Sequence, residues 1–176
     1  MNEQLFHRLY DQYHQDVFQF LMYLVKDRIV AEDLSQEVYI RAIRSYDTFQ
    51  KHSSEKTWLF AIAKNISIDF FRKQKVKSKH TLDYFDWDQD QLSTKEKSPE
   101  QQAILNEEKG LVLQALEKCT DDQKMVVILR YIQQLSVNET AQVLEWTKAK
   151  VKTTQYRAIQ KLKDALNKIE KKGERV

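Results

Sequence analysis

A chain of 176 residues with 41% hydrophobic and 31% charged side chains can bury one or two small cores, which excludes a large multidomain assembly. Its formal net charge is only +3, so any nucleic-acid role must rest on how cations are distributed and not on their total. Two glycines and one proline disfavour folds full of tight turns, and the expected class is all-α.

From Leu5 to Val25 the residues Leu5, Phe6, Leu9, Tyr13, Val17, Phe20, Leu21 and Leu24 recur at helical spacing. No run here reads as a signal peptide or membrane span, which predicts a cytoplasmic protein without direct membrane insertion. His7, Asp11 and His14 stand at i, i+4 and i+7, a spacing that could share a metal. They fall opposite the apolar stripe, where a solvated face is expected, and no metal or cofactor is assigned.

A second helix is predicted from Ile29 to about Tyr46, with Leu34, Val38 and Ala42 inward. A third spans Lys56 to Lys73, KTWLFAIAKNISIDFFRK, where Leu59, Ile62, Ala63, Ile66 and Phe70 make a buried stripe. A second stripe carries Trp58, Ala61, Asn65 and Arg72, with Lys64, Asp69 and Lys73 beside it. Together these segments read as a compact three-helix unit.

Periodicity fades after Lys75. The stretch from Ser78 to Glu100 is mostly polar, acidic at Asp83, Asp86, Asp88 and Asp90, and holds the only proline, as expected of a flexible linker. Tyr84, Phe85 and Trp87 qualify that reading. They suit either contact with a partner or basic channel, or local anchoring on the protein itself.

Helical pattern returns at Gln101, and Ile104, Leu105, Val112 and Leu116, then Val126, Val127, Leu129, Tyr131 and Ile132, predict two helices before Gln133. The lone Cys119 between them has no disulfide partner and reads as a small buried hydrophobe in preference to a redox thiol. LSVNETAQVLEWTKAKVKTTQYRAIQKLKDAL then fits a helix-turn-helix: Ser136 caps a helix with Glu139 completing a capping box, Glu145, Trp146 and Thr147 turn, and a second helix starts near Lys148.

That last helix carries Lys148, Lys150, Lys152, Arg157, Lys161 and Lys163 with no acidic residue between Glu145 and Asp164. Thr153, Thr154, Gln155 and Tyr156 add hydrogen-bonding groups among the cations. Cations fix register on phosphates and polar side chains reach base edges, the combination a recognition helix needs. The alternative is a solvated lysine-rich surface.

Taken in order, these motifs resemble the extracytoplasmic-function sigma factors of bacterial RNA polymerase. AEDLSQEVYIRA at Ala31 to Ala42, the residues Thr57, Trp58, Leu59, Ile62, Ala63, Asn65, Ile68, Asp69 and Arg72, and the paired runs LSVNETAQVL and VKTTQYRA carry the resemblance over nearly the whole chain outside the linker. It implies two small helical domains, an N-terminal bundle and a C-terminal helix-turn-helix domain. The family's region 2 would span residues 3–76, the linker 77–100 and region 4 residues 101–170.

The resemblance also implies roles. Lys56, Trp58, Lys64, Asn65, Arg72 and Lys73 would engage the minus-ten promoter element, where opened bases must be held outside their stack. Asn65 suits a base edge or a local cap, Trp58 lines the base pocket or supports its loop, and Asp69 orients Arg72 or Lys73. Glu32, Asp33, Gln36, Glu37 and Arg41 would grip the clamp helices of the largest subunit of core RNA polymerase, with the flap region as a further contact. Thr147, Lys148, Lys150, Lys152, Thr153, Thr154, Tyr156 and Arg157 would meet the minus-thirty-five element.

The implied function is promoter recognition and opening for an envelope-stress regulon, under a membrane-bound anti-sigma factor, with promoter DNA and core polymerase as partners. The chain itself is not expected to be an enzyme: it has no P-loop, no Cys-x-x-Cys pair and no nucleophile elbow. A dimeric helix-turn-helix regulator acting without polymerase is the alternative, though it leaves AEDLSQEV and the Trp58 helix unused. A metal-dependent hydrolase built on His7 and His14 is a third class, predicting bound metal. The chain departs from the family at Cys119-Thr120, usually leucine-proline, and at Glu145 and Ala149, usually glycine. A glutamate at the bend costs backbone energy if its φ is positive.

Overall fold

The computed structural model describes residues 2–49, 51–81 and 107–174, and among these every regular element is helical. Helix α1 (Asn2–Val25) buries Leu9, Val17, Phe20 and Leu21, each 0–1% exposed. It closes at Lys26, whose φ of 57° turns the chain while its N–H still reaches the Met22 carbonyl at 2.9 Å. Asp27 then caps α2 (Arg28–Ser45), accepting from the amides of Ile29 at 3.0 Å and Val30 at 3.2 Å, an arrangement that stabilises a helix start by about 1 kcal/mol.

A 3-10 turn (Tyr46–Thr48) and a short loop lead to α3 (Glu55–Thr81). Ser54 caps α3 by accepting from the Thr57 amide at 3.1 Å. The helix runs to Thr81, into the stretch read from sequence as linker; the remainder of that linker, including Tyr84, Phe85 and Trp87, and the expected helical start at Gln101 to Asn106 lie outside the described residues.

In the second block α4 (Glu107–Leu116) precedes α5 (Asp121–Val127). Thr120 stands where the family commonly has proline, and it opens α5 by another route: it accepts from the Gln123 amide while Gln123 accepts from the Thr120 amide, a full capping box. A π turn (Ile128–Ile132) extends α5, with the Gln133 N–H on the Ile128 carbonyl at 2.9 Å.

Helix α6 (Val137–Leu144) has the expected Ser136 and Glu139 box. It ends at Glu145 in the left-handed region, φ 57° and ψ 41°, with the Trp146 N–H returning to the Ala141 carbonyl at 3.0 Å, a Schellman closure. Helix α7 (Lys148–Glu174) follows, and Val151, Ala158 and Ala165 form its buried seam.

The two blocks read from sequence are real helical units, but they do not stand apart. One core joins Leu9, Phe20, Leu59, Phe60 and Ile66 of the first to Met125, Ile128, Leu129, Leu144 and Val151 of the second. Polar contacts cross the same seam. Gln133, 4% exposed, donates to the Asp16 carbonyl at 3.3 Å and to Gln19 Oε1 at 3.2 Å, and Lys26 pairs with Glu117 at 2.8 Å. Helix α3 is therefore covered on two sides, by α1 and α2 and by α6. Thr57, Lys64 and Ser67, polar residues off its apolar stripe, are buried with it, Thr57 against Glu139 of α6.

Candidate nucleic-acid and polymerase interfaces

At the start of α3 the aromatic side chains pack on one another. Trp58 stacks on Phe49, ring centroids 4.7 Å apart and 24° between planes, and meets the edge of Tyr46 at 5.8 Å. Such offset and edge contacts are favourable pair geometries. The Trp58 ring packs on residues that precede the loop.

Glu55 ties the same region together. It accepts both Nη atoms of Arg8 at 2.8 Å and the Tyr46 hydroxyl at 2.9 Å. The Arg8 guanidinium holds the Glu55 carboxyl below its usual range, and the carboxylate pushes the Tyr46 phenol up. Arg8, Tyr46 and Phe49 were not singled out by the sequence reading, because Arg8 and Glu55 lie 47 residues apart.

The other residues assigned to the minus-ten element divide. Asn65, Arg72 and Lys73 are exposed. Lys56 is half-buried, pairing with Asp16 at 3.3 Å and lying over the Phe60 ring at 5.8 Å. Lys64, read from sequence as a phosphate-facing cation, is 5% exposed in this arrangement of the blocks. The reading of Asp69 is corrected. Its observed ion-pair partner is Arg41 at 3.9 Å, brought to it by the packing of α2 on α3.

On α2, Glu32, Asp33, Gln36 and Arg41 are exposed and Glu37 is half-buried against Arg41, with Arg28 on Glu32 at 3.2 Å. Ile29 and Ile40 share the outer surface of this helix at 72% and 49% exposure. Apolar residues so placed among charges suit a partner surface with a hydrophobic centre and polar rim, and the charged motif alone did not single them out.

On α7, Thr147 caps the helix by accepting from the Lys150 amide at 3.1 Å. Lys148, Lys150, Lys152, Thr153, Tyr156 and Arg157 are exposed and Thr154 is half-buried. The Lys150 ammonium sits 4.1 Å from the Trp146 ring centroid, so its cation is held near the turn. Gln155 is occupied elsewhere: it donates to the Tyr131 hydroxyl at 3.0 Å and accepts from Arg130 at 2.9 Å, while Arg130 also donates to the Leu135 carbonyl. These contacts brace α7 against the π turn.

Cys119 is buried, and burial pushes its thiol up, consistent with the small-hydrophobe reading. No helix among the described residues is long and apolar enough to cross a membrane.

Residues 9–76 match the model of sigma-70 region 2 and residues 109–162 that of sigma-70 region 4. The chain is 48% identical to the ECF RNA polymerase sigma factor SigX of Bacillus subtilis over 92% of its own length and 83% of the relative's. It is 32% identical to the RNA polymerase sigma factor YlaC of the same organism, over 91% of each chain. Its fold is similar to that of the sigma factor RpoE in the complex with the anti-sigma factor NepR from Bartonella quintana, with a TM-score of 0.74 and 22% identity over 92% of this chain and 96% of that one. It is also similar to CnrH in complex with the cytosolic domain of CnrY, with a TM-score of 0.69 and 22% identity over 94% of this chain and 89% of that one. Carrying both sigma-70 regions in order and close relatives along most of its length, the chain belongs to the extracytoplasmic-function RNA polymerase sigma factors, a family of non-enzymatic transcription initiation factors.

Proposed function

We propose that the two blocks divide promoter recognition between them. The outer surface of α2, with Glu32, Asp33, Gln36, Glu37 and Arg41, binds the largest subunit of core polymerase, and the flap region contacts the second block. Asn65, Arg72 and Lys73 on α3 and the loop before it engage the minus-ten element, and the first turns of α7 enter the major groove at the minus-thirty-five element. The observation that carries this reading is the capped α7, whose exposed Lys148, Lys150, Lys152 and Arg157 stand beside Thr153 and Tyr156.

Two elements whose names place them 25 base pairs apart lie roughly 85 Å apart along duplex DNA at about 3.4 Å per base pair. Blocks sharing one core cannot reach both. Promoter engagement therefore separates α6 from α3 and returns Lys64 and Thr57 to solvent, where Lys64 and Lys56 contact phosphates.

An anti-sigma factor that holds the blocks together is the natural regulator of such a chain, in line with the complexes in which its structural relatives were solved. A membrane-bound regulator of this kind, a cytoplasmic location and an envelope-stress regulon complete the proposal. Run-off transcription from a promoter library with core polymerase tests it. Initiation at a shared two-part sequence, dependent on this protein, supports the reading; palindromic binding by the protein alone, with no initiation, overturns it in favour of a dimeric regulator.

A further inference from the structure

We infer that Arg8 is a positioning residue for promoter opening, acting through Glu55 and Tyr46 on the aromatic platform formed by Phe49 and Trp58. The inference rests on the proposal that the loop before α3 handles the opened minus-ten strand.

The geometry is that of a brace. Arg8 comes from α1, Tyr46 from the turn that ends α2, and Glu55 from the first turn of α3. One carboxylate joins all three: two bonds of 2.8 Å from Arg8 and one of 2.9 Å from Tyr46, with Arg8 also donating to the Tyr46 hydroxyl at 3.2 Å. The pair is bidentate, which fixes orientation as well as distance.

Glu55 does not need Arg8 merely to sit at a helix start, where a carboxylate is already favoured by the helix dipole. What Arg8 adds is a link between segments. The anchored Tyr46 ring abuts Trp58 at 5.8 Å, and Trp58 stacks on Phe49 at 4.7 Å. The two ends of the loop are thereby held at a fixed separation by a side chain from a helix that is not part of it.

Half-buried aromatic rings beside a loop are suited to packing against unstacked bases, a contact that tolerates any sequence but depends on ring placement. Arg8 itself need not touch DNA. Its guanidinium is already committed to Glu55 and Tyr46, which distinguishes it from Arg72 and Lys73.

The test uses holoenzyme assembled from full-length protein and core polymerase, with two DNA probes: a fork carrying single-stranded minus-ten bases, and an upstream duplex bearing only the minus-thirty-five element. Arg8→Met keeps the alkyl stem and removes the bidentate charge, and Tyr46→Phe removes only the hydroxyl, so the second variant guards against a folding defect in the first. Both variants are expected to keep helical circular dichroism and core affinity, to bind the upstream duplex as wild type does, and to bind the fork about fivefold more weakly, with Arg8→Lys intermediate. Unchanged fork binding by both variants, or equal loss on both probes, would overturn the positioning role while wild type still prefers the fork. A wild-type holoenzyme with no preference for single-stranded minus-ten bases would overturn the underlying reading and the inference with it.

Discussion

The Thr57 hydroxyl of α3 donates to Glu139 of α6 at 3.5 Å, and Thr57 is only 2% exposed. A bond this long contributes little energy. Its importance is positional, because Glu139 also closes the Ser136 capping box: the helix start proposed to organise the minus-thirty-five motif rests on the helix start proposed to serve the minus-ten element.

The seam is held more firmly by Gln133. Gln133→Ala removes two donors to α1 and opens a buried polar site, and is expected to destabilise the free protein by about 1–2 kcal/mol. Urea unfolding followed by circular dichroism gives the value; a loss below about 0.3 kcal/mol would show that the contacts of Asp16 and Gln19 are not formed in solution.

Glu145 occupies a backbone region that disfavours side chains, φ 57°. Replacing it with glycine relieves that conformation at the cost of more freedom in the unfolded chain. Glu145→Gly should stabilise by about 0.5–1 kcal/mol and raise the melting temperature by roughly 1–4 °C. A lowered melting temperature in a thermal scan would contradict the left-handed closure of α6.

Stability should also respond to acid through Glu55. Its folded-state pKa lies below the unfolded value because of Arg8, so its contribution is fully present above the ordinary carboxylate range and is lost as pH falls through the lower folded value. The stability difference between wild type and Glu55→Gln is therefore expected to be constant near neutrality and to shrink on acidification. Denaturant midpoints measured from pH 7 to pH 3 would read this, and a gap that widens toward acid would reverse the assignment.

Asn65 and Lys152 should fail differently. Asn65→Ala leaves core affinity intact and slows open-complex formation by about tenfold, the scale of one lost base-edge contact. Lys152→Ala weakens upstream duplex binding across sequences and lowers the salt-dependence slope by about one. Stopped-flow opening and salt-titrated binding separate them, and equal loss of core binding by both folded variants would dissolve the proposed division of labour.

What could be read in the sequence was local. The Ser136 box needs only a serine and a glutamate three residues on, and the turn at Glu145 to Thr147 follows from the break between two periodic runs. Contacts set by how helices cross were not legible. Lys64 looks like a surface cation until the helices pack around α3, Asp69 finds Arg41 because α2 is its neighbour, and Arg8 meets Glu55 only because the start of α3 lies beside the start of α1. Phe49 reads as an ordinary apolar loop residue until the ring of Trp58 is laid on it.

The shared core of Leu59, Phe60, Leu129, Leu144 and Val151 sets robustness against usefulness. Apolar surface removed from water here contributes about 25 cal/mol per Å² to the closed chain, and the same quantity is charged against any act that parts the blocks. Engineering this protein for heat resistance through that seam would yield a better-behaved solute and a slower initiator, so a thermal screen and a transcription screen run on one library should rank the seam variants in opposite order.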